Sequence, residues 1–237
     1  MNILIVGATG AVGSLVANEL CRLTSKHTAH ADTKIYAMTR RQPQADVITL
    51  PFSILDAPPS NRSPSTCVHQ PTTLDTFICT LGTTLKQAGS REAFAEIDHH
   101  LVIRCAQYAQ ALGAKRAIIM SSVGADSKAS SFYLQTKGKM ENSLVGLGFE
   151  QTHILRPSLL LAQRGDVRPA EILGGHLSRA INPLLIGPLR RFRSIQGHDV
   201  AKAICQLTLT TSNKAPHSTN EYDSIIALAR QYDTGSE

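Results

Sequence analysis

The chain opens MNILIVGATGAVG, and this junction of an apolar run with three spaced glycines constrains the fold more than any other stretch. Asn2 to Val6 is short, apolar and rich in β-branched residues, the pattern of a strand buried on both faces of a parallel sheet. Beyond it, Val12, Leu15, Val16, Leu20 and Leu23 recur at helical spacing. Strand, tight turn and helix therefore follow one another directly. Gly7, Gly10 and Gly13 fall in the turn, where a β-carbon would obstruct the bend, the approach of a pyrophosphate, or the packing of helix on strand. Amides at the helix start would face the phosphates, aided by the positive end of the helix dipole. The spacing is GxxGxxG rather than the commoner GxGxxG; what points to a dinucleotide is its place after a strand and before a helix.

The rest of the chain repeats this alternation. Further strands are predicted at Lys34–Met38, 47–52, 74–80, 117–120 and 150–155, with a short one at 192–195. Helical periodicity covers 91–112 as one long helix, the stretch from Tyr133 onward, 199–209 and 224–232. This predicts one α/β domain over residues 1–237, a doubly wound parallel sheet of the Rossmann type. Residues 56–73, with Pro58, Pro59, Pro64 and Pro71, read as a surface insertion. Residues 157–195 read as a cover over a pocket, with 159–162 part of that cover rather than of a sheet.

At 237 residues and 42% hydrophobic content the chain suits one substantial core. Its net charge of +6 would suit an anionic partner, but the charge is spread along the chain, densest at Arg190, Arg191 and Arg193, so nucleic acid is not the expected partner. No apolar run is long enough to cross a bilayer, and the first strand follows no basic leader. A cytoplasmic protein without membrane association is expected. The five cysteines contain no CxxC pair, which suggests neither a disulfide framework nor a zinc knuckle. Asp98, His99 and His100 invite a metal reading, but adjacent helical residues diverge, so no metal site is expected.

Three later stretches carry chemistry. The second strand runs into Thr39, Arg40 and Arg41, where an acid would favour NAD and arginine accommodates the extra phosphate of NADP; Asp32 precedes the strand, at its opposite end. Gly82 and Thr83 follow another strand, where open parallel sheets bind ligands. A third strand ends in Ser121 and Ser122, and beyond it Tyr133 and Lys137 stand four apart on one helix face. A tyrosine hydroxyl is a poor base at neutral pH, and a neighbouring ammonium stabilises its phenolate.

These blocks, GATGAVG at Gly7 to Gly13, TLGTTLKQAGSREAF at Thr80 to Phe94, SSVGADSKASSFYLQTKGKMEN at Ser121 to Asn142 and ILRPSLLL at Ile154 to Leu161, resemble the short-chain dehydrogenase/reductase superfamily. Among its atypical members the likeness is to the Tat-interacting protein 2 family of NADPH-binding proteins. The resemblance implies that the turn Gly7, Ala8, Thr9, Gly10, Ala11, Val12 and Gly13 holds the pyrophosphate and that Arg40 and Arg41 meet the adenosine phosphate. It implies that Leu81, Gly82 and Thr83 border the adenosine and ribose, and that Pro157, Ser158 and Leu159 flank the nicotinamide. It implies Tyr133 as acid/base, Lys137 on the nicotinamide ribose, and Ser122 or else Ser121 polarising a carbonyl. The sequence departs from the family at Pro51, where relatives often carry an acid, and at Ser158, where they carry glycine. The implied activity is NADPH-dependent reduction of a small-molecule carbonyl; the alternative is an NADPH-binding regulator acting through a protein partner. Nucleotide-sugar epimerisation is disfavoured, because only about 80 residues follow Arg156. Monomer and homodimer are both compatible with the sequence.

Overall fold

The computed structural model describes residues 1–26, 32–56, 70–161, 182–210 and 216–235. Seven parallel strands form the central sheet: β1 (Asn2–Val6), β2 (Lys34–Met38), β3 (Ile48–Leu50), β4 (Thr76–Cys79), β5 (Arg116–Met120), β6 (Gln151–Leu155) and β9 (His217–Asn220). Their order is β3-β2-β1-β4-β5-β6-β9. The connection reverses direction between β1 and β4, and that switch point opens a crevice at the carboxyl ends of the two strands. A separate parallel pair joins β7 (Leu160–Leu161) to β8 (Ile195–Gln196).

Alternation along each buried strand supplies two cores. Ile3 and Ile5 face one side with α1 (Gly13–Lys26), α6 (Gly197–Leu209) and α7 (Tyr222–Gly235). Leu4 and Val6 face the other with α4 (Val102–Ala111) and α5 (Phe132–Gly146). The doubly wound sheet is thus the one the sequence predicts, because strands apolar on both faces need helices on both.

Several expectations are corrected. The helix read over 91–112 is continuous but not uniform: α3 (Arg91–Ala95) passes through a π-helical turn over Glu96–Leu101 into α4. Within that turn the rings of His99 and His100 lie 4.7 Å apart between centroids. Before it, Thr84 caps the short α2 (Leu85–Ala88) by accepting from the Gln87 amide, Gly89 ends α2 at φ 85°, and Ser90 caps α3. Leu160 and Leu161, read as cover, form strand β7; the short strand expected at 192–195 begins only at Ile195, after a 3-10 turn over Gly187–Phe192. Strand β9 was not expected, because HSTN carries no apolar alternation; backbone pairing with β6 and the His153–Ser218 hydrogen bond of 2.7 Å hold it. Most of the proposed insertion (57–69) and the middle of the proposed cover (162–181) lie outside the described residues. Among the described residues no helix is long and apolar enough to cross a membrane.

Candidate functional site

The glycine turn after β1 is built by close approach. Gly7 sits at φ 92°, and a β-carbon there would lie 2.7 Å from the Leu81 amide nitrogen. At Gly13 it would lie 2.1 Å from the Gly7 carbonyl oxygen and 2.4 Å from Thr80 Oγ1, so α1 is seated directly on the strand ends. Gly10 differs: it is exposed, its amide donates to Gly7 O at 2.9 Å, and a β-carbon would meet only that oxygen, at 3.2 Å. The seven-residue turn therefore divides. Gly7, Thr9, Gly10 and Ala11 border a cleft, whereas Ala8 and Val12 are buried in the core behind it and Gly13 is the helix contact.

That cleft has a volume of about 1090 Å³, slightly above the range of roughly 300 to 1,000 Å³ usual for small-molecule sites. One end is cationic. Arg40 and Arg41 are exposed there, and Thr39 fixes their turn by donating its hydroxyl to Arg41 O at 2.8 Å and accepting the Arg41 amide at 3.1 Å. Among the described residues neither arginine has an ion-pair partner. Met38 and Phe52 give this end an apolar wall. Leu81, Gly82 and Thr83 line the facing side, at the end of β4. The cradle fits a dinucleotide: glycine where backbone must be approached, free amides at a helix start, and unpaired guanidinium groups at one end.

Sequence reasoning missed the wall formed by Gln196, Gly197 and His198 at the start of α6. The available signal was another strand-to-helix junction with glycine at the joint.

The second constellation lies on α5. Tyr133, Lys137 and Glu141 stand one turn apart on the same face. The Tyr133 ring packs on Phe94 of α3, with centroids 5.6 Å apart. Lys137 is buried, its Nζ 2.7 Å from Asp98 Oδ1. That contact is one of charge, lying off the line of a directed hydrogen bond, and Asp98 Oδ2 accepts the Thr83 amide at 2.9 Å. Glu141 takes a two-pronged contact from Arg156, with Nε at 3.0 Å, and this bond holds the guanidinium above its ordinary value against the opposing effect of burial. A β-carbon on Gly138 would lie 2.2 Å from the backbone at Asp126 and Ser127, so α5 is pressed against the loop that follows the paired serines.

Ser121 is buried at the end of β5, its amide donating to Leu155 O at 2.7 Å and its hydroxyl without a partner among the described residues. Ser122 is half-buried, and among the described residues its hydroxyl has a 3.5 Å contact to Val123 O. None of Ser121, Ser122, Tyr133 and Lys137 borders the cleft. Gly82 joins the two regions, since it lines the cleft and its β-carbon position lies 3.6 Å from Lys137 Nζ. Pro157 is buried, Leu159 is exposed, and the Ser158 hydroxyl donates to Arg193 O, tying the β6 exit to β8. None of those three lines the cleft; Leu161 does.

Asp98 and the histidines turn to different partners. His99 meets Ser143 Oγ at 2.9 Å and is pushed below its ordinary value mainly by burial. Among the described residues no three potential metal ligands come together.

Comparison with known proteins agrees with the fold and corrects the finer readings. The human epimerase family protein SDR39U1 (isoform 2), solved with NADPH, superposes at a TM-score of 0.58 over 93% of this chain and 74% of its own, at 14% identity. A putative NAD-dependent epimerase/dehydratase from Bacillus halodurans gives 0.59 over 98% and 99%, at 20% identity. At such identities the likeness establishes the fold alone, a doubly wound parallel sheet of the Rossmann type. In sequence, the mitochondrial protein fmp52 of Emericella nidulans is 34% identical over 190 residues, 76% of each chain. Two expectations fall with this match. The specific family is that of HIM1 and the FMP52 relatives, not that of Tat-interacting protein 2, and the cytoplasmic assignment is contradicted by relatives named as mitochondrial. Composition and apolar runs test only for membrane spans and leaders of one kind, so they carried no information on that address. The HIM1 family model matches residues 59–184, more than half the chain, and together with the fmp52 likeness this places the chain in the HIM1 family.

Proposed function

We propose that this chain is a mitochondrial NADPH-dependent oxidoreductase that reduces a carbonyl group of a small molecule. One observation carries the reading: a cleft at the β1/β4 switch point that runs from two unpaired arginines across a glycine cradle to Gly82, directly against the buried ammonium of Lys137. A bound nicotinamide would supply the hydride. The residues of the chain divide the remaining work. Arg40 and Arg41 meet the adenosine 2′-phosphate, and the amide at Ala11 faces the pyrophosphate, where the α1 dipole adds to its attraction. Ser121 or Ser122 holds the carbonyl oxygen by a hydrogen bond. Ser121 is the better provided, since its hydroxyl is buried without a partner among the described residues. Tyr133 passes a proton to that oxygen, a step worth about 10²–10⁴-fold in such catalysis. Lys137, one turn along α5 from Tyr133, orients the ribose.

The test is NADPH oxidation against a panel of aldehydes and ketones by wild type and Tyr133→Phe. The expected result is turnover of at least one carbonyl that falls at least about a hundredfold in the variant. A variant with full activity refutes the assignment of Tyr133, and tight NADPH binding with no turnover of any carbonyl favours a cofactor-sensing role through a protein partner.

A further inference from the structure

None of the chemistry above uses Asp98, yet it is the most completely committed polar side chain in the site. It is fully buried; Oδ1 lies against Lys137 Nζ at 2.7 Å, and Oδ2 takes the Thr83 amide at 2.9 Å. The first contact belongs to α5, the second to the cleft wall. Asp98 lies within the π-helical turn over Glu96–Leu101, between α3 and α4. An ammonium as buried as that of Lys137 is unfavourable unless an anion compensates it, and removing one member of such a pair leaves the other stranded.

The other ionisable groups nearby do not supply that anion. The Cys79 thiol on β4 is pushed up to about 12 by burial and stays neutral. Glu141, one turn along α5, is occupied by Arg156, and His99 is turned to Ser143. Tyr133, one turn the other way, packs on Phe94.

We propose that Asp98 is a positioning residue of this site: its carboxylate keeps Lys137 charged in a dry setting and, with its second oxygen, fixes the Thr83 amide at the cleft wall. Its consequence for cofactor binding rests on the NADPH reading; its hold on the charge of Lys137 does not. Substitutions separate the two duties. Asp98→Asn keeps an acceptor for the Thr83 amide and removes the charge, whereas Asp98→Ala removes both.

The experiment is a pH titration of cofactor-free protein carrying ¹³Cε-lysine, followed by NMR, with the Lys137 signal assigned by its loss in Lys137→Arg. The Lys137 signal of Asp98→Asn is expected to change at lower pH than that of wild type, as for a buried amine that loses its counter-charge. A folded Asp98→Asn protein whose Lys137 signal follows wild type overturns the proposal. Should that variant fail to fold, Asp98→Glu is read instead: a Lys137 signal that follows wild type supports charge compensation, and one that changes at lower pH contradicts it. Calorimetry with NADPH completes the test. Asp98→Asn is expected to lose about tenfold in affinity between pH 7 and 9 where wild type changes little, and Asp98→Ala to be weak at both. Affinity in Asp98→Asn that follows wild type across this range contradicts the link to the cofactor. A wild type that binds no NADPH refutes the cofactor reading alone, and the lysine titration still decides the role of Asp98.

Discussion

Gly13 and Gly10 lie three residues apart in the same turn, and alanine at each should do opposite things. At Gly13 the added carbon would stand 2.1 Å from Gly7 O and 2.4 Å from Thr80 Oγ1, both fixed by neighbouring strand ends. Ordinary contact needs more than 3 Å, so α1 must retreat by roughly 1 Å, along with Val16, Ala17 and Leu20, which are 0–1% exposed. Overpacking of this kind costs about 1–3 kcal/mol, and for a chain of this size each kcal/mol lowers Tm by about 2–4 °C. Gly13→Ala is therefore expected to melt roughly 2–12 °C below wild type and to lose the cleft geometry with it. At Gly10 the carbon would meet only Gly7 O, at 3.2 Å, on an exposed surface. Gly10→Ala should melt within about 3 °C of wild type yet bind NADPH at least about tenfold more weakly, because it occupies the approach to the cradle. Thermal unfolding by circular dichroism and an NADPH titration on the three proteins provide the comparison. Equal Tm values for Gly13→Ala and wild type, or unchanged NADPH affinity in Gly10→Ala, would refute the division of the turn into a packing glycine and a cleft glycine.

Other consequences reach beyond the site. Arg116 donates to the carbonyls of Leu207, Thr208 and Thr210 at 3.1, 2.7 and 2.9 Å, closing the carboxyl end of α6, so Arg116→Met should cost on the order of 2–4 kcal/mol in urea unfolding. Glu19 is held below its ordinary value first by the Arg22 hydrogen bond, against burial and with help from the Tyr232 hydroxyl. A lowered carboxyl stabilises the fold above its unfolded value and loses that contribution as pH falls through the folded one; the stability gap between wild type and Glu19→Gln should therefore narrow from pH 6 to about pH 3. Burial raises the thiols of Cys79, Cys105 and Cys205 well above their ordinary value, so an alkylating reagent at about pH 8 should spare all three in the native protein while reaching the half-buried Cys21 first among the described cysteines, as read by peptide mass spectrometry.

The sheet was legible because its strands are buried on both faces, and such strands announce themselves as unbroken apolar runs: ILIV, IYAM, TFIC and AIIM all lie in strands. The glycine turn was legible because close approach leaves no alternative to glycine. The strands that escaped notice depend on contacts a local pattern does not encode. HSTN in β9 is held by backbone pairing at the sheet edge and by His153, and LL in β7 by a partner 35 residues away. At the site, Arg40, Arg41, Gly82 and Thr83 were found from their positions at strand ends. Asp98 was weighed only as a metal ligand beside its histidine neighbours and set aside because adjacent helical residues diverge; its contact with Lys137 is made across 39 residues and carries no local pattern. His198 and Gln196 were missed because residues that line a cleft from a distant helix start carry no periodicity of their own.

The most direct test of the account is calorimetric titration of wild type and the Arg40→Ala/Arg41→Ala protein with NADPH and with NADH. The account predicts tight binding of NADPH by wild type and weaker binding of NADH. In the double variant it predicts loss of most of that preference with little change in NADH affinity. Absence of binding for both nucleotides, or a preference for NADPH that survives removal of both arginines, would contradict it.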